Sequence, residues 1–157
     1  MNRKIYVFVP ALLLIVSLFM PALNVSGREE FGYSLFALGW FQSYISLTAI
    51  GNWISHGMLD SENFIASIFT AFPWFGNIFI ILAVVSLARS RVKVSLLFSI
   101  LALICVTVFF VNPVAMLGAD GITVEVTPLI GAYFWGLSTL ACFCSVVYQS
   151  WRAKENA

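Results

Sequence analysis

The 157-residue chain is 61% hydrophobic and 10% charged, with a mean hydropathy of +0.98. An ordinary soluble domain carries roughly 25% charged residues, so the composition excludes a soluble globular class and indicates an integral membrane protein. The length allows one domain over 1–157, with about four spans and their loops. The formal net charge of +1 identifies no partner class, and no nucleic-acid partner is expected.

Four windows of the chain contain no Asp, Glu, Lys or Arg and have the length of membrane-spanning helices. A span needs roughly 20 helical residues to cross a hydrocarbon core about 30 Å thick. The predicted spans cover 5–23, 66–88, 94–111 and 129–151. Two outer loops, 24–65 and 112–128, and a cytoplasmic turn, 89–93, connect them. The predicted fold class is therefore an all-α membrane protein, a bundle of four transmembrane helices.

The distribution of charge predicts the orientation of these spans. With both termini in the cytoplasm, seven of the eight basic residues lie inside, because only Arg28 falls in an outer loop. Lys and Arg in short loops near the span ends favour the cytoplasmic side. The inner basic residues are Arg3, Lys4, Arg89, Arg91, Lys93, Arg152 and Lys154.

The first outer loop contains a further uncharged stretch, 31–59, which has the length of a fifth span. A fifth crossing would place the basic turn 89–93 outside, against the charge rule. The stretch is also polar, with Gln, Ser, Thr and Asn side chains along it. We therefore expect one or two short helices at the outer interface, broken near Gly39 or Gly51, with Trp40 and Trp53 at headgroup level.

The second outer loop carries a strand signature. Residues 122–127 alternate apolar and polar side chains and are rich in β-branched residues, as half-buried strands are. The extended stretch 25–33 is the expected partner. The sequence thus predicts a short β-hairpin cap over the four helices.

Motifs for catalysis or metal binding are weak in this chain. His56, the only histidine, is followed by Asp60 and Glu62, and one histidine with two carboxylates is a thin set of metal ligands. Cys142 and Cys144 are two residues apart on a helix, about 200° around its axis, and do not form a redox pair. No cofactor, metal site or enzymatic activity is expected.

Within the spans, no residue other than cysteine and tyrosine is ionisable, which disfavours pumps and proton-coupled transporters. Pro73 predicts a kink in span two, and Asn77 follows it by about one turn. Asn77 serves there either as a polar contact between helices or as a ligand-binding group. The candidate interaction or ligand region consists of Trp40, Trp53, Trp74, Asn77 and Trp135.

Several short strings give the chain a family likeness. They are Met20-Pro21-Ala22-Leu23, Leu38-Gly39-Trp40, Trp74-Phe75-Gly76-Asn77 and Gly131-Ala132-Tyr133-Phe134-Trp135. Together they resemble the motifs of an uncharacterised family of small four-span bacterial membrane proteins, although Ile78 stands where that family has proline. The resemblance implies a four-span fold in the bacterial cytoplasmic (inner) membrane, and it implies no activity.

Three function classes stay open. The favoured one is a small membrane accessory or interaction protein, for example in a bacteriocin-immunity role, whose partners are the lipid bilayer and another membrane protein or a second copy. The alternative is a binder or transporter of a lipid or small molecule that uses the kinked span two and the aromatic outer cap. An enzyme acting through His56, Asp60 or Glu62 is the least favoured.

The charge partition makes a testable prediction about topology. Single cysteines placed within 28–62 or 118–126 should react with a membrane-impermeant thiol reagent added to intact cells, and a cysteine at position 90 should not. Position 153, beyond the last predicted span, is the matched inner control and should be labelled only after lysis. Labelling of position 90 from outside would contradict the four-span topology.

Overall fold

The computed structural model describes residues 3–57, 59, 62–117 and 122–155. Helices dominate this part of the chain, and four short strands join them. The helices are α1 (Arg3–Phe19), α2 (Gly32–Ser55), α3 (Glu62–Ala71), α4 (Phe75–Ala88), α5 (Val92–Val111) and α6 (Ile130–Glu155). The strands are β1 (Pro21–Val25), β2 (Arg28–Phe31), β3 (Val114–Leu117) and β4 (Ile122–Pro128).

Three helical segments among the described residues are long and apolar enough to cross a membrane. They are Phe64–Ala88, Val92–Val111 and Ile130–Arg152, and they coincide with the second, third and fourth predicted spans. The apolar part of α1, Ile5–Phe19, is shorter, and α2 is long enough but less apolar. By length and composition, these helices support a membrane protein and are compatible with three of the four predicted crossings.

Small residues bring the helices of the bundle together. Ser138 on α6 donates a hydrogen bond of 2.7 Å to the carbonyl of Pro10 on α1, and Ser95 on α5 donates one of 2.7 Å to the carbonyl of Ala83 on α4. Both serines are fully buried. Small side chains allow close backbone approach, and such interhelical bonds contribute roughly 0.6 kcal/mol each in membranes. These two serines thus serve packing within one chain.

A four-stranded antiparallel sheet in the order β2-β1-β4-β3 covers one end of the bundle. Ser26 and Gly27, both with positive φ, form the two-residue turn between β1 and β2, as the primed turns of hairpins require. Leu23 on β1 and Val126 on β4 are buried and pack with Phe109 of α5 and Ala132 of α6. The sheet therefore has an apolar face on the helix ends.

The sheet corrects two predictions. Span one was expected to reach residue 23, but α1 ends at Phe19, because the apolar residues that follow form β1 instead. The cap was expected to be a two-stranded hairpin with 25–33 as the partner of 122–127. Instead β4 pairs with β1, placing Asn24 opposite Thr127, and with β3 on its other side.

The first outer loop also differs from its prediction. The stretch 32–55 is one continuous helix, α2, with no break at Gly39 or Gly51. It packs against α3, where the hydroxyls of Ser46 and Thr70 lie 2.8 Å apart in a buried hydrogen bond. A glycine costs a helix only about 1 kcal/mol relative to alanine, which packing on α3 outweighs.

Pro73 has a larger effect than a kink. It lies in a non-helical step between α3, which ends at Ala71, and α4, which begins at Phe75. Because proline has no N–H and clashes with the preceding turn, the amides of Phe75 and Gly76 bond only three residues back, at 3.0–3.1 Å. The helix of the second predicted span is therefore broken at Pro73.

Gly131 tests how tightly α6 is joined to the sheet. A Cβ at Gly131 would lie 2.9 Å from the carbonyl oxygen of Met20 and 3.0 Å from that of Pro21, which are fixed backbone atoms. We expect Gly131→Ala to lower the free energy of unfolding in detergent by about 1–3 kcal/mol. Gly136→Ala, on the same helix, would meet only side-chain atoms, the nearest of them in the Phe110 ring at 3.2 Å, and should cost less. Equal stability of the two variants would contradict the close contact between α6 and the sheet.

Candidate ligand cavity beneath the sheet

A cavity of about 120 Å³ lies where the sheet meets the helix ends. Six helices and two strands supply its walls, and its lining includes the break between α3 and α4. The lining residues are Ser17, Leu18, Ala22, Leu23, Gly32, Leu35, Phe36, Gly39, Gln42, Thr70, Pro73, Trp74, Asn77, Phe109, Val114, Ala115, Gly131, Ala132 and Trp135.

Trp74 forms the part of the cavity wall between the α3–α4 break and α2. Its indole Nε1–H donates a hydrogen bond of 2.9 Å to the carbonyl of Phe36. A Cβ at Gly39 would lie 2.6 Å from Cδ1 of the same ring, so only glycine leaves room for the indole there. The break at Pro73 and the glycine on α2 together fix the position of Trp74.

Trp135 stands on α6 and packs against α4 and α5. A Cβ at Gly76 would lie 2.8 Å from its Cζ2 atom, and its ring meets Phe109 edge to face at a centroid distance of 6.0 Å. Its indole Nε1–H is buried and has no hydrogen-bond partner among the described residues. An unpaired buried donor costs roughly 1–3 kcal/mol.

Two side-chain amides also lie in the cavity wall. Asn77, one turn after the break, and Gln42 on α2 are both half-buried. Neither side-chain amide makes a hydrogen bond with another described residue. By contrast, the hydroxyl of Ser17 donates to the Leu14 carbonyl at 2.7 Å, and Thr70 is bonded to Ser46. The side-chain amides of Asn77 and Gln42 are thus the polar groups of the lining that have no partner among the described residues.

The chemistry of this lining favours binding over catalysis. No Asp, Glu, Lys, Arg or His occurs among the lining residues, so the described wall offers no general acid or base of the usual kind. Predominantly apolar walls with a few convergent polar groups are typical of small-molecule sites. The arrangement can hold an apolar body and orient it by hydrogen bonds.

The structure brings three of the five candidate residues together. Trp74, Asn77 and Trp135 line the cavity, whereas Trp40 and Trp53 do not. Trp40 is 52% exposed and stacks edge to face on Phe41, at 5.8 Å between centroids. Trp53 is half-buried near the far end of α2. The two loop tryptophans therefore belong to the outer surface of α2.

The weak metal candidates fall elsewhere. His56 is exposed at the end of α2, and its Nδ1 atom lies 2.8 Å from the Asn52 carbonyl. Asp60 lies outside the described residues, as do Ser61 and the side chain of Glu62. Within the described part of the chain, no three His, Cys, Asp or Glu residues gather as a metal-ligand group.

Sequence reasoning missed Gln42 and Gly39 as parts of the site. Gln42 was noted only as evidence that the loop is too polar to span the membrane. The signal that could have found it is spacing, since Gly39, Gln42 and Ser46 share one face of a helix. That face is recognisable only when 32–55 is taken as one continuous helix.

Neither a family model, nor a curated protein, nor a solved structure matches this chain. The geometry of the cavity is accordingly the basis for any functional argument.

The close packing of the Trp74 indole against Gly39 is testable. Gly39→Ala should displace the indole, weaken its bond to Phe36 and lower the free energy of unfolding by about 1–3 kcal/mol. Gly51→Ala, also on α2, has no neighbour within 4 Å of the added carbon and should be neutral or stabilising by up to about 1 kcal/mol. The measurement is detergent unfolding followed by tryptophan emission, and equal behaviour of the two variants would contradict the assigned contact.

Proposed function

We propose that the protein is a four-span protein of the bacterial cytoplasmic membrane, with both termini inside, whose cavity binds a small, largely apolar molecule. The charge partition and the family resemblance support this topology. Seventeen residues of α1 extend about 25 Å at 1.5 Å per residue, and the apolar β1 lengthens this segment. In this topology the sheet and the cavity face outward.

The observation that carries the binding proposal is a cavity with unpaired polar groups inside otherwise close packing. Gly39 and Gly76 leave no space for a methyl group beside Trp74 and Trp135, so the surrounding wall is tightly fitted. An apolar cavity of about 150 Å³ can hold benzene, and the volume here is of that order.

A role as an interaction protein is the second candidate, and α2 is the observation in its favour. Its outer surface exposes large apolar side chains with no charged residue among them. These side chains are Tyr33, Leu38, Trp40, Phe41, Tyr44, Leu47 and Ile54. Patches of this kind mark contact with lipid or with another protein. The cavity gives the binding role a defined chemistry, and we rank it first.

Tryptophan quenching by bromocyclohexane tests the binding role. The chain has five tryptophans, of which Trp74 and Trp135 line the cavity. In a protein with Trp40→Phe, Trp53→Phe and Trp151→Phe, reconstituted in nanodiscs, all tryptophan emission comes from these two residues. Bromocyclohexane in the cavity should quench their emission with a saturable dependence on concentration, whereas quenching from bulk lipid should rise without saturation.

Two alanine variants provide the matched comparison. Ala115→Leu adds volume at the cavity wall and should remove the saturable component. Ala37→Leu makes the same change at an exposed position of α2 and should leave it. Quenching that never saturates in the parent protein, or that saturates equally in both alanine variants, would contradict binding in the cavity.

A further inference from the structure

Helix α2 runs across the ends of two neighbouring helices instead of along their lengths. A Cβ at Gly32 would lie 2.9 Å from the Cα atom of Leu18, near the end of α1. A Cβ at Gly39 would lie 2.6 Å from the ring of Trp74, which directly precedes α4. The two glycines are seven residues apart, which is about 10 Å along a helix axis. The first third of α2 therefore bridges the end of α1 and the start of α4.

The lengths of α1 and α4 give the depth of this bridge in the membrane. In the proposed topology, the cytoplasmic edge of the hydrocarbon core lies near Ile5 on α1 and near Ala88 on α4, where the uncharged stretches of both helices end. Leu18 lies thirteen residues from Ile5, and Trp74 lies fourteen residues from Ala88. At 1.5 Å per residue, these distances are about 20 Å and about 21 Å. Both contacts of α2 are thus at nearly the same height, so this part of α2 lies close to the membrane plane.

Helix α5 provides an independent measure of the same height. A Cβ at Gly76, the second residue of α4, would lie 3.2 Å from the Cβ atom of Cys105. Cys105 lies thirteen residues from Val92, or about 20 Å from the start of α5. Since the hydrocarbon core is about 30 Å thick, the bridge lies about 10 Å inside its outer edge. Any tilt of these helices reduces their height above the cytoplasmic edge and places the bridge deeper.

The exposed side of α2 has the composition of a lipid-facing surface. Residues 31–59 contain no Asp, Glu, Lys or Arg, whereas a helix side that faces water normally carries charged residues. Leu38 is 68% exposed, Phe41 54% and Tyr44 60%. Exposed Ser, Thr and Asn side chains begin only in the second half of the helix, at Thr48. The exposed side of the first half therefore suits hydrocarbon, and that of the second half suits the headgroup region.

The polar residues that count against a membrane location for α2 are turned away from this side. The buried residues of α2 are Ser43 and Ser46. The hydroxyls of Ser46 and Thr70 lie 2.8 Å apart, so α2 and α3 pair these groups with each other. Gln42 lies in the cavity wall. The average polarity of the stretch therefore understates how apolar its exposed side is.

We propose that the α2–α3 hairpin lies within the hydrocarbon of the outer leaflet, where Leu38, Phe41 and Tyr44 contact lipid acyl chains, and that it does not cross the membrane. Ile65 and Phe72 of α3 are also exposed, so the apolar surface extends over both helices. The inference rests on the proposed topology and is independent of ligand binding in the cavity. It places the first half of α2 below the headgroup level expected from the sequence. Cysteines at its three lipid-contacting positions would accordingly escape an impermeant thiol reagent, although the charge partition alone predicts that they react.

Nitroxide accessibility in liposomes of phosphatidylethanolamine and phosphatidylglycerol measures this depth. The nitroxide is attached to a single cysteine at position 41 or 44 in the full chain, which carries the substitutions Cys105→Ala, Cys142→Ala and Cys144→Ala. Oxygen concentrates in hydrocarbon and nickel-EDDA stays in water, so the ratio of their collision rates with the nitroxide reports depth. We expect both positions to give a ratio within about twofold of that at the reference position 104, since all three lie about 10 Å inside the core.

Two further positions anchor the comparison. Ile104 is 54% exposed on α5 and precedes Cys105, so its label lies at the height of the bridge. Asn52, exposed in the second half of α2, is the matched control on the same helix. Its label should collide with nickel-EDDA several times more often than a label at position 41. The difference between positions 41 and 52 reports the rise of α2 toward the headgroups.

The outcomes separate this inference from the topology on which it rests. A nickel-accessible label at position 104 would overturn the topology and this inference with it. With position 104 in hydrocarbon, nickel access at position 41 or 44 would place the hairpin in water or among the headgroups and would overturn the inference alone. Labels at 41 and 44 that collide with neither oxygen nor nickel would show a protein partner or a second copy on this surface, which would also overturn it.

Discussion

The absence of an N–H on Pro73 is the constraint on which the rest of the site depends. It leaves the carbonyl of Phe69 without its helical donor and ends α3 at Ala71. Irregular backbone within a membrane protein is tolerated where it is buried in protein or lines a cavity. Here the break occurs beside the cavity, and it lets Trp74 turn its indole toward α2 and bond to Phe36.

The sheet supplies the second constraint, because it ties together the helix ends that Trp74 does not reach. β1 follows α1 almost directly and β4 leads into α6, so the pairing of β1 with β4 holds these two helices at one end. The hydrogen bond from Ser138 to the Pro10 carbonyl joins the same two helices about two turns further from the sheet. β3 continues α5 into the same sheet. An isolated hairpin is marginal, whereas four strands with Leu23 and Val126 buried on the helix ends form a stable lid.

The helix positions were predictable because they depend on charge and hydropathy, which are read along the chain. The windows 66–88, 94–111 and 129–151 each correspond to observed helical segments. β1 was not predictable in the same way, since Ala22 and Leu23 suit the end of an apolar span as well as the buried face of a strand. Tertiary pairing with β4 decides between the two.

The site was predictable in part for a similar reason. Trp74 and Trp135 were proposed as members of an aromatic cluster, and Asn77 was proposed as a polar residue within span two, close to the kink expected at Pro73. Trp40 was included as another aromatic residue of that cluster, yet it follows Gly39 on a helix and is rotated by about 100° from it. Since Gly39 faces Trp74, Trp40 faces away. Such a distinction requires the rotation of α2, which hydropathy does not define when the helix is apolar around most of its surface.

The energetic cost of the cavity argues that it is more than a packing defect. A space of about 120 Å³ that no side chain fills forgoes the apolar contacts that close packing would supply. The unpaired indole N–H of Trp135 adds roughly 1–3 kcal/mol. Domains are stable by only about 5–15 kcal/mol, and the small lining residue Ala115 leaves room for a side chain that would fill the space. Departures of this kind from ordinary core packing are expected at functional sites, where a ligand that fills the volume supplies the missing apolar contacts.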